Sequence, residues 1–388
     1  MKCTRNVTDH VIWVGANDRR LNLFENLFPI PRGVSYNAYL IKDEKNALMD
    51  TVDASASEQF IENVAYALNG GKLDYLVVQH MEPDHCANIQ RILELYPETK
   101  VVGNVKTMQM ISQFFDADLE GRQVVVKEGD TLELGNHTLH FVMAPMVHWP
   151  EVMVEYEETE KILFSADGFG KFGALSAEEE WTDEARRYFI NIVGKYGVQV
   201  QTLLKKAAAL DIQMICPLHG PILKDNLGFY IGKYLTWSSY EPEEDGVLVA
   251  CASIHGNTKA AAEKMVEVLR ANGASKVVFM DLTRDDMAEA VADAFRYGKI
   301  ILAAASYDAG VFPPMEDFLH RLVHKNLQKR TFGLIENGSW APCAAKGMKG
   351  ILEGMKEVNV CENVVSIKST MKDTDVAKME ELAKEMLA

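Results

Sequence analysis

The chain has 388 residues, 48% of them hydrophobic, which is enough for two domains with sizeable cores. Its 40 Lys and Arg stand against 56 Asp and Glu; a net charge of −16 argues against nucleic acid, which is held by basic patches. The six scattered cysteines form no C-x-x-C pair, and there is neither a signal-peptide pattern nor an apolar run long enough for a membrane span, so a cytoplasmic protein with no membrane partner is expected.

In chain order, residues 11–14 read as a strand, and 35–41 and 47–50 as a strand pair joined by a polar turn. Ser55 is positioned to cap a helix over 56–68, closed by Gly70-Gly71. Tyr75-Leu76-Val77-Val78 is a buried strand that runs into Gln79-His80-Met81-Glu82-Pro83-Asp84-His85, and 87–95 has helical spacing. Further strands are expected over 101–102, 124–126, 131–134 and 138–142, with a hairpin over 152–156 and 161–164. Helices are expected over 106–115, 184–193 and 198–210, and a last strand over 212–216 enters Pro217-Leu218-His219-Gly220. Strands in two batches, each followed by helices, suggest two sheets packed face to face with helices outside.

The stretch 79–85 puts four ionisable side chains on a loop between a strand end and a helix start, where a scaffold can aim them at one point. A charged, solvated loop is the plain alternative. Against it stand three more strand ends that finish in a ligand type: His148 after 138–142, Asp167 after the 161–164 strand, and His219 after 212–216. His80, Glu82, Asp84, His148, Asp167 and His219 are three imidazoles and three carboxylates. That is too many for one tetrahedral zinc and suits two metals bridged by a carboxylate, with iron or manganese preferred by the anionic oxygens.

These motifs resemble the metallo-β-lactamase-like domain of flavodiiron proteins: H-x-E-x-D-H, a later His-Trp-Pro, an aspartate after Phe-Ser-Ala, and Pro-Leu-His-Gly-Pro. In hydrolases of that superfold the position of Glu82 is normally histidine, so Glu82 is the discriminating residue. The resemblance implies that His80, Glu82 and His148 bind one iron, that Asp84 and His219 bind the other, and that Asp167 bridges. It leaves His85 behind the ligands as a supporting group. Tyr196 matches a pocket tyrosine of relatives and could donate a hydrogen bond to a bound diatomic; a plain helix-end tyrosine is the alternative. Trp149 either shields the site or simply packs. Some relatives offer a pocket histidine where this chain has Leu23-Phe24-Glu25-Asn26.

Residues 238–246 are polar, acidic and interrupted by proline, and read as a linker, giving domains over 1–240 and 247–388. Beyond it, strands over 247–251, 276–280, 299–304, 331–335 and 364–367 alternate with helices over 258–271, 285–295, 315–327 and 345–358, and a final helix covers 373–387. Strict βα alternation argues a doubly wound parallel sheet of the flavodoxin-like kind. The first strand enters Ser253-Ile254-His255-Gly256-Asn257-Thr258, whose hydroxyls, amide and following helix N-terminus can close on a phosphate without any Lys or Arg. Placed there, it resembles the FMN phosphate loop of flavodoxins. The same resemblance puts the flavin ring between Ser306-Tyr307-Asp308-Ala309-Gly310 and Asn337-Gly338-Ser339-Trp340.

The fold expected is therefore α/β: an αββα metallo-β-lactamase-like sandwich followed by a flavodoxin-like five-stranded sheet. The activity implied is reduction of dioxygen, nitric oxide or both, with electrons passing from a rubredoxin-like or other small donor through FMN to two irons. A head-to-tail homodimer or a homotetramer is implied with it. Two rivals are a dinuclear zinc hydrolase with an incidental flavodoxin domain and an electron carrier with a vestigial first domain.

Overall fold

The computed structural model describes residues 2–388. It comprises two compact units, one running to Phe189 and taking in Val198–Tyr234, the other made of Ile190–Gly197 and Leu235–Ala388.

The first unit holds two sheets. One has seven strands, ordered Arg5–Asn6, Val11–Trp13, Tyr39–Ile41, Ala47–Met49, Tyr75–Val77, Lys100–Gly103, Gln123–Val125. The other has five, ordered Thr131–Glu133, Thr138–Met143, Met153–Glu157, Ile162–Phe164, Met214–Cys216. Alternate residues explain the pairing of the sheets. Met49, Val77 and Val102 meet Phe141, Met153 and Phe164 in one core. Their neighbours Leu48, Leu76 and Val101 are just as buried, on the opposite face. A sheet buried on both faces needs helices outside it, which gives the αββα sandwich.

The topology brings the ligand-bearing ends together. Thr138–Met143 is antiparallel to Met153–Glu157, which is antiparallel to Ile162–Phe164, which is parallel to Met214–Cys216. The strands that precede His148, Asp167 and His219 therefore all point the same way and end on one edge. The 35–41 strand expected from the sequence is broken into Val34–Tyr36 and Tyr39–Ile41. Asn37 is the cause: its amide donates to the carbonyls of Pro217 (2.8 Å) and Gly220 (2.9 Å), and its carbonyl accepts Trp13 Nε1–H at 2.9 Å. The backbone departs from the ladder there, and the loop of His219 is pinned in exchange. Ser55 is not the helix cap expected; Asp53 accepts Ser55 N–H ahead of the helix Ser57–Leu68, and Asn69 closes it in the left-handed region with φ 48°. The helix Leu227–Ser238 was not anticipated.

In the second unit the five parallel strands Glu244–Ala252, Val277–Asp281, Tyr297–Tyr307, Gln328–Asn337 and Lys356–Ile367 are ordered 2-1-3-4-5. That is the doubly wound flavodoxin-like order, whose switch point lies between the first and third strands. Residues 238–246 are not a linker. The first strand already starts at Glu244, and Tyr240 is buried, its carbonyl accepting from Arg330 at 2.8 Å. Arg330 is itself buried and also donates to Ala294 and Phe295 carbonyls; burial pushes its guanidinium down to about 10. A tether some 90 residues away in sequence leaves no local signal in an acidic, proline-containing stretch.

Candidate metal centre and cofactor cleft

His80 and Glu82 follow the Tyr75–Val77 strand. Asp84 and His85 do not lie on a loop, as the sequence suggests, but in a one-turn helix, Pro83–Cys86, with Pro83 at its first position. That turn sets Asp84 and His85 beside His219 and so divides the motif between two clusters. In the first, His148 Nε2 lies 3.0 Å from Glu82 Oε2 and 3.0 Å from Asp167 Oδ2, and 3.2 Å from His80 Nε2. In the second, His85 Nε2 lies 3.1 Å from His219 Nε2, 3.4 Å from Asp84 Oδ2 and 3.3 Å from Asp167 Oδ1. Ligands about 2.1 Å from one ion, seen from it at roughly 90–110°, stand about 3.0–3.4 Å apart. Both clusters have that spacing, and Asp167 gives one oxygen to each.

The electrostatics demand cations. Both oxygens of Asp84 and of Asp167 are buried without a hydrogen-bond donor, an arrangement costly unless positive charge lies between them. With protons alone to balance the charge, burial disfavours the imidazolium of His148, yet Asp167 and Glu82 push it up to about 9. Burial likewise opposes ionisation of Asp167, but His148, His80 and His85 hold it well below the usual carboxylate range. Two ligand imidazoles are oriented from behind. His80 Nδ1 donates to Glu151 Oε1 at 2.9 Å, and His219 Nδ1 donates to the Ser35 carbonyl at 2.7 Å, which leaves each Nε2 lone pair facing the cluster. Glu151 also accepts Met81 N–H; burial opposes its charge, and the His80 contact holds it below its ordinary value.

In the second unit a cleft of about 630 Å³ opens at the carboxyl ends of the first, third and fourth strands, at the switch point. Ser253, Ile254, His255, Asn257 and Thr258 line one side, and 306–309 and 337–340 the other. The helix Asn257–Ala271 starts in the first loop, and Gly256 stands at φ 92°, a conformation suited to glycine. Ser253 Oγ accepts Gly256 N–H at 3.0 Å. Tyr307 and Trp340 are 44% and 90% exposed, flat surfaces at the mouth.

The family model described as ODP family beta lactamase matches residues 34–220. The anaerobic nitric oxide reductase flavorubredoxin of Aliivibrio fischeri is 29% identical over 349 residues, 87% of this chain and 70% of that protein. The flavodiiron protein of Giardia intestinalis shares the fold at a TM-score of 0.90 and 22% identity, over 100% of this chain and 97% of that one. The rubredoxin oxygen:oxidoreductase of Desulfovibrio gigas superposes with a TM-score of 0.93 at 27% identity, covering 99% of this chain and 98% of that one. The chain is similar to flavodiiron proteins over nearly its whole length.

Within this flavodiiron-like frame the structure gathers all six expected metal residues and departs from the sequence reading at others. His85 is not set behind the ligands: its Nε2 stands among them, level with that of His219. Its Nδ1 is buried without a partner, so nothing orients it from behind. Tyr196 sits half-exposed in a 3-10 turn with Lys195 over its ring. Tyr188, buried on the helix Trp181–Ile192, meets the cluster, its ring 5.4 Å from that of His219. Phe24 packs edge-on against His219 at 5.4 Å and so forms an apolar wall there. Trp149 stands edge-on to His80 at 5.3 Å. In the cleft, Ser306 Oγ accepts from Cys343 and Ala344 N–H, and the Asn337 amide is bound to the Ser369 backbone, so both side chains brace the loops. Gly310 does not line the cleft; it pairs with Tyr307 in a short hairpin. Glu151, Tyr188, Cys343 and Ser369 were missed. Glu151 alone carried a signal, as a carboxylate three residues past His148.

Proposed function

We propose that the chain is a cytoplasmic flavodiiron oxidoreductase that reduces dioxygen to water, nitric oxide to nitrous oxide, or both. The observation that carries this reading is the single Asp167 carboxylate shared by two buried ligand clusters, one of which contains an anionic Glu82. His80, Glu82 and His148 would hold one iron and Asp84, His85 and His219 the other, with Asp167 offering one oxygen to each cluster; an iron pair so held would supply electrons to a small oxidant. The 253–258 loop and the 306–309 and 337–340 loops hold FMN, which would take electrons from a rubredoxin-like or other small donor.

The chain's own groups then have definite tasks. Glu151 and the Ser35 carbonyl fix the tautomers of His80 and His219, so both present a lone pair. Three carboxylates keep the pair electron-rich. Trp149, Phe24 and Tyr188 pack around the histidines, which limits access to small molecules and keeps bulk water from the site. Two names among the relatives, a nitric oxide reductase and an oxygen oxidoreductase, support this substrate class. A head-to-tail homodimer or a homotetramer is the assembly proposed with it.

The test is metal and flavin content per chain, followed by anaerobic nitric oxide turnover and dioxygen turnover with a small reduced iron–sulfur or rubredoxin-type donor. About two irons, one FMN and turnover of either gas are expected. Two zincs without flavin, with ester or thioester hydrolysis in place of gas reduction, would replace the reading by the hydrolase.

A further inference from the structure

A second histidine cluster lies at the other edge of the five-stranded sheet. His137 stands just before the strand Thr138–Met143, whose far end leads to His148. Glu160 stands just before Ile162–Phe164, whose far end leads to Asp167. A six-residue strand spans about 20 Å, so this cluster is separate from the two-metal centre. His10, from the turn that opens the strand Val11–Trp13 of the seven-stranded sheet, completes it.

Each member is held in place. His137 is 1% exposed. Its backbone N–H and its Nδ1 both donate to Asp43 Oδ2 at 2.7 Å, and Asp43 Oδ1 accepts Asn136 Nδ2–H at 3.0 Å. A histidine that donates Nδ1–H to a carboxylate keeps its lone pair on Nε2, the arrangement that supports metal-bound imidazoles. His137 Nε2 is buried and has no hydrogen-bond partner. The His10 ring packs against that of His137 with centroids 4.9 Å apart, and His10 Nδ1 lies 3.0 Å from Glu160 Oε1. Thr8 Oγ1 donates to the other Glu160 oxygen at 2.6 Å, and Glu160 N–H donates to Glu157. One donor atom from each of His10, His137 and Glu160 falls within 4.8 Å of the others. That spread is wider than a bound ion needs, so His10, whose side chain is 54% exposed, would exchange its Glu160 contact for the ion.

We propose that His10, His137 and Glu160 form a third metal site, for one zinc(II) ion, with Asp43 as the supporting carboxylate and the exposed fourth position left to water. Two imidazoles and one carboxylate are a borderline-soft set that suits zinc. The ion would tie the turn before the first sheet's Val11–Trp13 strand to two turns of the second sheet, joining segments up to 150 residues apart in sequence. It takes no part in the electron chemistry and does not depend on the identity of the ions at the other centre.

The experiment is equilibrium dialysis of the full chain against zinc chloride alone, after loading with iron, with wild type compared with His10→Ala, Glu160→Gln, His137→Ala and Asp43→Asn. The wild type is expected to retain one zinc per chain more than His10→Ala and His137→Ala, at low micromolar free zinc. Asp43→Asn should weaken that extra zinc by about 10–100-fold. His10 is on the surface, so His10→Ala keeps the comparison valid if His137→Ala does not fold. Zinc at the two-metal centre is common to all variants and cancels in the difference, so failure of the iron reading changes totals only. Equal uptake by wild type and His10→Ala, or an extra zinc that is taken up only in the millimolar range, overturns the proposal.

Discussion

Glu82 Oε2 lies 3.0 Å from His148 Nε2 and 3.3 Å from His80 Nε2. Glu82→His would replace that anionic oxygen by a neutral nitrogen in a cluster already holding two imidazoles. Gas reduction is expected to fall at least about tenfold while FMN content stays at wild-type level, since no flavin-cleft residue is altered; unchanged turnover would remove Glu82 from the mechanism. Glu151 acts one step further out. Glu151→Gln keeps the size but takes away the charge that orients His80, and metal retention against a chelator should drop by about 10–100-fold. Of these two residues only Glu82 was legible in the sequence as functional. It stands inside a motif whose members sit within six positions, whereas Glu151 reaches His80 across 71 residues. Tyr188 gave no signal for a related reason: it stands in no motif, and only the rotation of its helix turns its ring to His219.

The element that carries Asp167 onward, residues 165–181, is anchored by a buried ion pair. Lys171 Nζ bonds Glu179 Oε1 at 2.5 Å and the Phe172 carbonyl at 2.9 Å, and Arg32 reaches the other Glu179 oxygen. Burial alone would raise the Glu179 carboxyl, but Lys171 and Arg32 hold it below its usual range. A carboxyl whose folded value is depressed stabilises the fold fully above its unfolded value, about 4.3. That contribution is lost as pH falls through the folded value. Glu179→Gln should therefore cost about 3–5 kcal/mol in urea unfolding at pH 7, because Lys171 is left as a buried unpaired charge. The difference from wild type should shrink below pH 4; a constant difference would mean that the loss is one of packing. At this scale the sequence was informative wherever apolar period and strand length agreed, as in 75–78 and 247–251. It misled where a distant side chain overruled the local pattern: Asn37 interrupts a strand that composition alone would continue, and Arg330 holds down a stretch that composition alone would free.

Across the whole chain, every proposed metal residue belongs to the first unit and every cleft residue to the second. Removal of metal by a chelator is expected to abolish turnover while leaving flavin content and its reduction by a chemical donor unchanged; loss of flavin along with metal would show the sites to be interdependent. The two-unit plan was readable because βα alternation after 247 contrasts with the batched strands before it. The boundary was not, because the second unit also takes in Ile190–Gly197 from far upstream. Ser306 and Asn337 spend their polar groups on the Cys343, Ala344 and Ser369 backbone, so the cavity keeps its walls by internal bonds. Folding and flavin loading are then expected to be separable. A cell short of riboflavin would accumulate folded, empty chains instead of discarding them, and vitamin supply would convert that stock to holoprotein without new translation. Stripped protein given FMN should accordingly regain one flavin per chain with no change in its far-ultraviolet circular dichroism.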